Sequence, residues 1–250
     1  DTRNIFRMLS ILPQLIAGEA LADTGPLQSL IAQHVDEAFL RNIADAHRRG
    51  RRLYAGTVDL DAQRFVVWNL GLVAAVGLFR RVMLASASTP VAFPPVLFDV
   101  EAAGRRYDEM HVDGSVGTRV FYTAGVFSFA RARAEAGREP GQEDLFIVHN
   151  GQLLPVPEPT RRSLRSIAMR VFDSSGKAAV VGDLFRIYAI TSRERTGYHW
   201  TTIPEGVELF GDEVFDPAKM RELYDLGFSR ALAGPAWSTK PPGVAAESPP

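Results

Sequence analysis

Apolar and polar positions alternate at two different spacings in the first half of the chain. Residues 36–49 carry apolar positions at helical spacing, with Asp36 at the N-cap position and Gly50 just beyond the last turn, so a helix is predicted there. Residues 52–60 and 64–69 are strand-like and are separated by the polar turn Asp61-Ala62-Gln63. This pattern predicts that the two segments form a β-hairpin.

The rest of the chain continues this alternation of element types. Pro90, Pro94 and Pro95 exclude a helix between an apolar helical segment and the next strands. Helices are predicted over 71–86, 116–136, 163–172, 182–192 and 217–233, and strands over 97–101, 106–112, 145–149 and 200–203. Strands that alternate with helices predict an α/β layered domain. The Pro-, Ser- and Ala-rich residues 238–250 are predicted to be a disordered tail.

Composition and charge exclude several classes of function. The 250 residues have a net charge of −1, which gives no electrostatic footprint for nucleic acid. The absence of cysteine excludes disulfides, thiol catalysis and cysteine-based metal sites. The longest apolar run, 70–79, is about half the length of a transmembrane helix. The basic run 48–52 is interpreted as a solvated helix end, with contact to anionic lipid or phosphate as the alternative.

The segment with the most chemical information is 84–117, which reads LASASTPVAFPPVLFDVEAAGRRYDEMHVDGSVG. Small residues lead into prolines, and a strand then ends at Asp113-Gly114. This order resembles the second half of the catalytic domain of patatin-like phospholipases. Three further segments are similar to a bacterial branch of that family at similar spacing, so the resemblance covers nearly all of residues 1–237. They are LYAGTVDLDAQRFVVWN, VVGDLFRIYAI and FDPAKMRELYDLGF.

The resemblance implies both a fold and an activity. The fold would be a three-layer α/β domain with a central, mostly parallel sheet flanked by helices, of which 1–237 would form the C-terminal portion. The activity would be hydrolysis of carboxylic esters of phospholipids or other lipids by a Ser-Asp dyad. Asp113 would be the general base, and no metal or cofactor would be needed. The family's nucleophile lies in a G-x-S-x-G turn that these 250 residues lack, so the serine and an N-terminal segment that completes the site are expected upstream.

The resemblance also points to residues around the dyad. Besides Asp113, the candidates that contact substrate or support the dyad are His111, Gly114, Ser115, Ser88 and Pro90. The family pattern Asp-Gly-Gly is Asp-Gly-Ser in this chain, for which a small geometric change is expected because glycine tolerates bends that serine does not. Expected partners are a lipid or ester substrate and a membrane surface contacted peripherally, in a bacterial cell envelope.

Several alternatives remain open from the residues alone. His111 with Ser115 or Ser88 could form a Ser-His-Asp triad with Asp113. Asp59 with Asp61, and Asp108 with Glu109, are carboxylate pairs of the kind used in glycoside hydrolysis or metal binding. The aromatic residues that follow the dyad are interpreted as core, with an acyl-chain pocket as the alternative; they are Phe121, Tyr122, Phe127 and Phe129. A short-chain esterase, a non-catalytic lipid- or partner-binding relative, and one fragment of a cleaved precursor are the competing functions.

Overall fold

The structure is a computed structural model that describes residues 2–9, 20–122, 134–135, 137, 141–154, 157, 159–209, 211, 213, 215–234 and 237–244. The chain divides into two compact units. The first comprises Asp1–Gly117 with Asp212–Asp216, and the second comprises Thr118–Gly211 with Pro217–Pro250. Each unit has a hydrophobic core and is described by itself.

The first unit contains two antiparallel sheets. A short pair is formed by β1 (Arg7–Met8) and β2 (Ala22–Asp23). The larger sheet is formed by β3 (Tyr54–Asp59), β4 (Arg64–Asn69), β5 (Val96–Ala102) and β6 (Arg105–Asp113), in the order β4-β3-β6-β5. The predicted hairpin is confirmed, with Asp59 paired to Arg64 across the polar turn. The later strand pair is confirmed as well, and Ala103 and Gly104 turn in left-handed backbone between its strands.

In the described part of this unit, three helices contribute to its core: α1 (Gly25–His34), α2 (Glu37–Arg48) and α3 (Val76–Ser86), of which α3 packs on the sheet and α1 packs on α3. The α2 helix confirms its prediction, because the Asp36 side chain accepts a hydrogen bond from the Phe39 amide at 2.7 Å and Gly50 adopts a φ of 93°. The third helix begins later than predicted, since Leu70–Leu72 form a short 3₁₀ helix before it. The buried core of the unit consists of Ile31, Val35, Leu40, Leu70, Phe79, Val82, Ala85, Val96 and Phe98.

The second unit is built on a parallel strand pair and a long helix. Strands β7 (Asp144–His149) and β8 (Gly197–Thr202) are joined by α4 (Leu164–Glu194), and α5 (Pro217–Leu232) follows. These elements confirm the predicted strands near 145–149 and 200–203 and the predicted last helix. The core consists of Tyr122, Ile147, Leu153, Val180, Leu184, Ile187, Tyr198 and Trp200.

The prediction of two helices over 163–172 and 182–192 is wrong, because α4 runs unbroken through both segments. Gly176 in the linking segment does not interrupt the helix. A Cβ at this position would lie 2.4 Å from Nη2 of Arg119. The glycine therefore provides room for a guanidinium group.

The helix predicted over 116–136 is also wrong for the residues described at its start. Val116 ends a short 3₁₀ helix, and 117–122 are not helical. The Arg119 and Val120 amides donate to Oδ2 of Asp183 at 2.8 and 3.0 Å, which replaces the carbonyl acceptors of a helix. Residues 123–133 and 136 lie outside the described residues.

The predicted disordered tail needs correction at its start. Ser238 exchanges two backbone hydrogen bonds with Trp200 of β8, each 2.9 Å long, and the Trp200 indole donates to the Lys240 carbonyl. Residues 238–240 are therefore held against the strand, whereas 245–250 lie outside the described residues.

Taken at a coarse level, the molecule is a general α/β fold with mixed helices and strands in several small sheets. Within the described residues, no helix is both long enough and apolar enough to cross a membrane.

Candidate active site at the end of strand β6

The carboxylate of Asp113 is held at the junction of β6 and the loop after α3. The backbone of Asp113 pairs with Thr57 of β3, and its amide donates to the Ser88 carbonyl at 2.9 Å. Its Oδ1 accepts from the Ser115 amide at 2.8 Å, and its Oδ2 accepts from Oγ1 of Thr89 at 3.4 Å. The side chain is half-buried. The contact with Thr89 was not expected from the sequence, although Thr89 stands in the small-residue turn that the resemblance covers.

Gly114 is required by close packing. It is buried, and a Cβ on it would lie 2.7 Å from the Gly56 carbonyl oxygen and 3.1 Å from the ring of Phe65. Ser115, in contrast, is not among the residues with positive φ. The conformation expected to favour a second glycine is therefore not used, and the serine in the Asp-Gly-Ser motif carries no backbone strain.

Ser88 and Pro90 lie in the loop that follows α3. Ser88 is buried, and its hydroxyl donates to the Leu84 carbonyl at 2.9 Å, which satisfies the end of the helix. Pro90 precedes Val91, whose φ of 71° is unusual for a β-branched residue. The loop is fastened to the start of β2, since the Leu21 amide donates to the Val91 carbonyl at 2.9 Å.

His111 is fully buried, and both of its ring nitrogens have partners. Nδ1 lies 2.9 Å from Oγ1 of Thr57, and Nε2 lies 3.3 Å from Oε2 of Glu109. The ring packs against Phe98 and Trp68 at centroid distances of 4.8 and 5.7 Å. This arrangement turns neither nitrogen toward Ser88 or Ser115, so it does not assemble the alternative Ser-His-Asp triad.

In the first carboxylate pair considered from the sequence, Asp59 and Asp61, both side chains accept hydrogen bonds from backbone amides. Oδ1 of Asp59 accepts from the amides of Asp61 and Ala62, each at 3.1 Å, and Oδ2 of Asp61 accepts from the Met110 amide at 2.8 Å. These contacts shape the hairpin turn. The structure instead groups Asp59 with Glu109 and His111, three side chains with the donor atoms that a metal ion requires.

Of the aromatic residues that follow the dyad, Phe121 and Tyr122 are described, and both belong to the second unit. Tyr122 is buried in its core, and its hydroxyl donates to Glu194 at 3.2 Å; burial, with a smaller contribution from Glu194, raises the pKa of Tyr122 to about 12. Phe127 and Phe129 lie outside the described residues. A cavity of about 1090 Å³ in this unit is lined by four cationic residues, Arg119, Arg161, Arg170 and Lys177, together with the acidic residues Asp173 and Glu208 and several apolar side chains.

Comparison with protein-family models and with curated protein sequences finds no match to this chain.

Proposed function

We propose that this chain contributes the general base of a lipid acyl hydrolase, with Asp113 as the base of a Ser-Asp dyad. The observation that carries the proposal is the number of hydrogen bonds that the Asp113 carboxylate accepts. A carboxylate offers about four lone-pair sites, and the described contacts of Asp113 use two, the bonds from Ser115 and Thr89. Acceptor capacity therefore remains for a serine hydroxyl.

The reaction would follow the usual course of acyl transfer. The serine oxygen attacks the ester carbonyl carbon while Asp113 accepts the hydroxyl proton, and the proton then passes to the leaving alcohol. Water hydrolyses the acyl-serine in a second step. The bond from the Ser115 amide to Oδ1 supports this role, because it fixes the orientation of the carboxylate, and the long contact from Thr89 leaves a lone pair of Oδ2 for a further hydrogen bond. No cofactor takes part in this scheme.

The resemblance supplies the remaining parts of the proposal. It suggests a three-layer domain with a mostly parallel central sheet, a bacterial patatin-like phospholipase as the family, and a nucleophile on residues outside this sequence. A phospholipid or another lipid ester would be the substrate, presented at a membrane surface in the cell envelope.

Covalent labelling tests this function directly. The full-length protein that contains this chain should react with a fluorophosphonate on a serine outside these 250 residues, as located by peptide mapping. Asp113→Asn should reduce labelling and ester hydrolysis by about a hundredfold or more, because it keeps the shape and removes the base.

Asp108→Asn is the matched control, since Asp108 lies on the same strand with an exposed side chain. It should label and hydrolyse ester like the unmodified protein. A label on Ser88 or Ser115 would replace the dyad by an internal nucleophile. Full turnover by Asp113→Asn, or no label on the folded protein, would refute the proposal.

A further inference from the structure

Three side chains with metal-binding atoms meet on the two central strands of the larger sheet, β3 and β6. Asp59, Glu109 and His111 each present one donor atom, and these atoms all lie within 4.8 Å of one another. The strand pairing brings them together, because Asp59 of β3 is directly opposite His111 of β6, and Glu109 shares the face of His111 two residues away. Tetrahedral ligands at about 2.1 Å from a Zn²⁺ ion lie about 3.4 Å apart. Nε2 of His111 and Oε2 of Glu109 are 3.3 Å apart, and the widest separation in the cluster would have to shorten from the 4.8 Å limit by up to about 1.4 Å.

Asp59 provides a second, independent indication. Its side chain is fully buried, yet Oδ2 accepts no hydrogen bond. A buried carboxylate oxygen without a hydrogen bond destabilises the folded protein unless a nearby cation balances its charge. Arg64 is the cation beside it, with Nε 3.4 Å from Oδ2 of Asp59 and Nη2 3.3 Å from Glu109. The Arg64 side chain is 60% exposed, so it is free to swing into solvent and leave both carboxylates to a metal ion.

The surroundings of His111 suit a ligand histidine. Metal-bound imidazoles usually donate their second N–H to a fixed acceptor. Nδ1 of His111 lies 2.9 Å from Oγ1 of Thr57, and Trp68 donates to the same oxygen at 2.8 Å. That hydroxyl has two lone pairs and is able to accept both bonds. Nε2 is then left to face Glu109 and the metal position.

We propose that Asp59, Glu109 and His111 form a binding site for a single divalent transition-metal ion, with Zn²⁺ as the best fit. One imidazole and two carboxylates match the ligands of Zn²⁺, whereas Mg²⁺ selects oxygen ligands and retains its waters. Three protein ligands leave a coordination position open to water or a ligand. Arg64 acts as the competing cation when metal is absent. The site is separate from the proposed role of Asp113 and does not depend on it.

Titration calorimetry of the full chain with Zn²⁺ tests the site. One equivalent should bind, and Mg²⁺ at the same concentration should not. Asp59→Asn and Glu109→Gln should each weaken Zn²⁺ binding by about tenfold or more. Arg64→Gln should strengthen it several-fold, because it removes the competing charge; simple loss of a structural ion pair would not have this effect.

His199→Gln is the matched control. His199 pairs with Asp144 at 2.9 Å but belongs to no three-residue cluster among the described side chains, so this variant should bind Zn²⁺ like the unmodified protein. Nitrogen-15 NMR of the His111 ring adds a readout independent of affinity, since Zn²⁺ should leave the proton on Nδ1. Failure of Zn²⁺ to bind, equal binding by Asp59→Asn and Glu109→Gln, or unchanged binding by Arg64→Gln would each overturn the proposal.

Discussion

At the scale of single residues, the position of Asp113 depends on its two following neighbours in different ways. Gly114 allows the end of β6 to lie against the Gly56 backbone, where a methyl group has no room. Ser115 contributes its amide, which donates to Oδ1 of Asp113 at 2.8 Å. Because only the amide is used in that bond and φ is not positive, a serine can stand where the resemblance leads one to expect glycine.

Gly114→Ala should therefore destabilise the protein by about 1–3 kcal/mol, because the new methyl group would displace backbone rather than a flexible side chain. The change should also disturb Asp113. Urea denaturation measures the loss. Gly77→Ala is the control, since nothing lies within 4 Å of its added Cβ, and it should be neutral or stabilising by up to about 1 kcal/mol. Equal stability of the Gly114→Ala variant and the unmodified protein would show that the strand end has room to adjust.

At the scale of secondary-structure elements, local pattern predicted the hairpin, α2 and the β5–β6 pair because their signals are local. An N-cap residue, a polar turn and alternating apolar positions mark, within the segment itself, where each of these elements begins and ends. The two wrong helix predictions concern segments whose structure depends on side chains that are distant in sequence. Gly176 accommodates Arg119, and Asp183 captures the backbone of Arg119 and Val120, which lie more than fifty residues away in sequence. Propensity is overridden by such tertiary contacts.

The residues of the candidate sites also fall into two groups: those that a local motif predicts and those that only the pairing of strands brings together. Asp113 and Gly114 stand in a contiguous motif, so sequence alone suggested them. The partners of His111 include Thr57, and its neighbours in the proposed metal site include Asp59, both of which lie on another strand. Their proximity depends on the register of β3 against β6, in which Asp59 is opposite His111. Residue spacing along the chain carries no signal of that register.

The side chain of Asp183 holds the non-helical segment 118–120 in place. Its Oδ2 accepts from the hydroxyl of Thr118 at 2.8 Å and from the amides of Arg119 and Val120. Asp183→Ala would leave those donors without their acceptor, so the free energy of unfolding should fall by about 2–4 kcal/mol. Thermal and urea denaturation measure the change.

Asp173→Ala is the control on the same helix. Asp173 is half-exposed and pairs with Lys177 at 3.4 Å, so its loss should cost less than about 1 kcal/mol. If the two variants lost equal stability, the non-helical conformation of 118–122 would have to be held by other contacts.

At the scale of the whole molecule, the two units have different roles in the proposals. All candidate dyad and metal residues lie in the first unit. The second unit contains the long helix, the parallel strand pair and two of the three tryptophans, Trp200 and Trp237. It also contains His149 at the end of β7, whose Nδ1 lies 3.1 Å from Oγ1 of Thr202.

His149 makes the stability of the protein depend on pH. Burial lowers the pKa of His149 from its ordinary value of 6.5, and Arg119 adds to the shift, while a hydrogen bond with the Gly151 backbone opposes it. The unfolded chain therefore binds a proton at a pH where the folded chain does not. By linkage, this histidine's contribution to stability is complete above about pH 6.5 and decreases as the pH falls below it.

Replacing His149 should flatten that dependence. Urea unfolding followed by tryptophan fluorescence should give a free energy of unfolding that falls from about pH 7 to about pH 5, and His149→Gln should reduce the slope because glutamine does not titrate. His34→Gln, at an exposed position on α1, should leave the slope unchanged. A slope that survives in His149→Gln would assign the acid sensitivity to other groups, and a slope that rises toward low pH would contradict the lowered pKa.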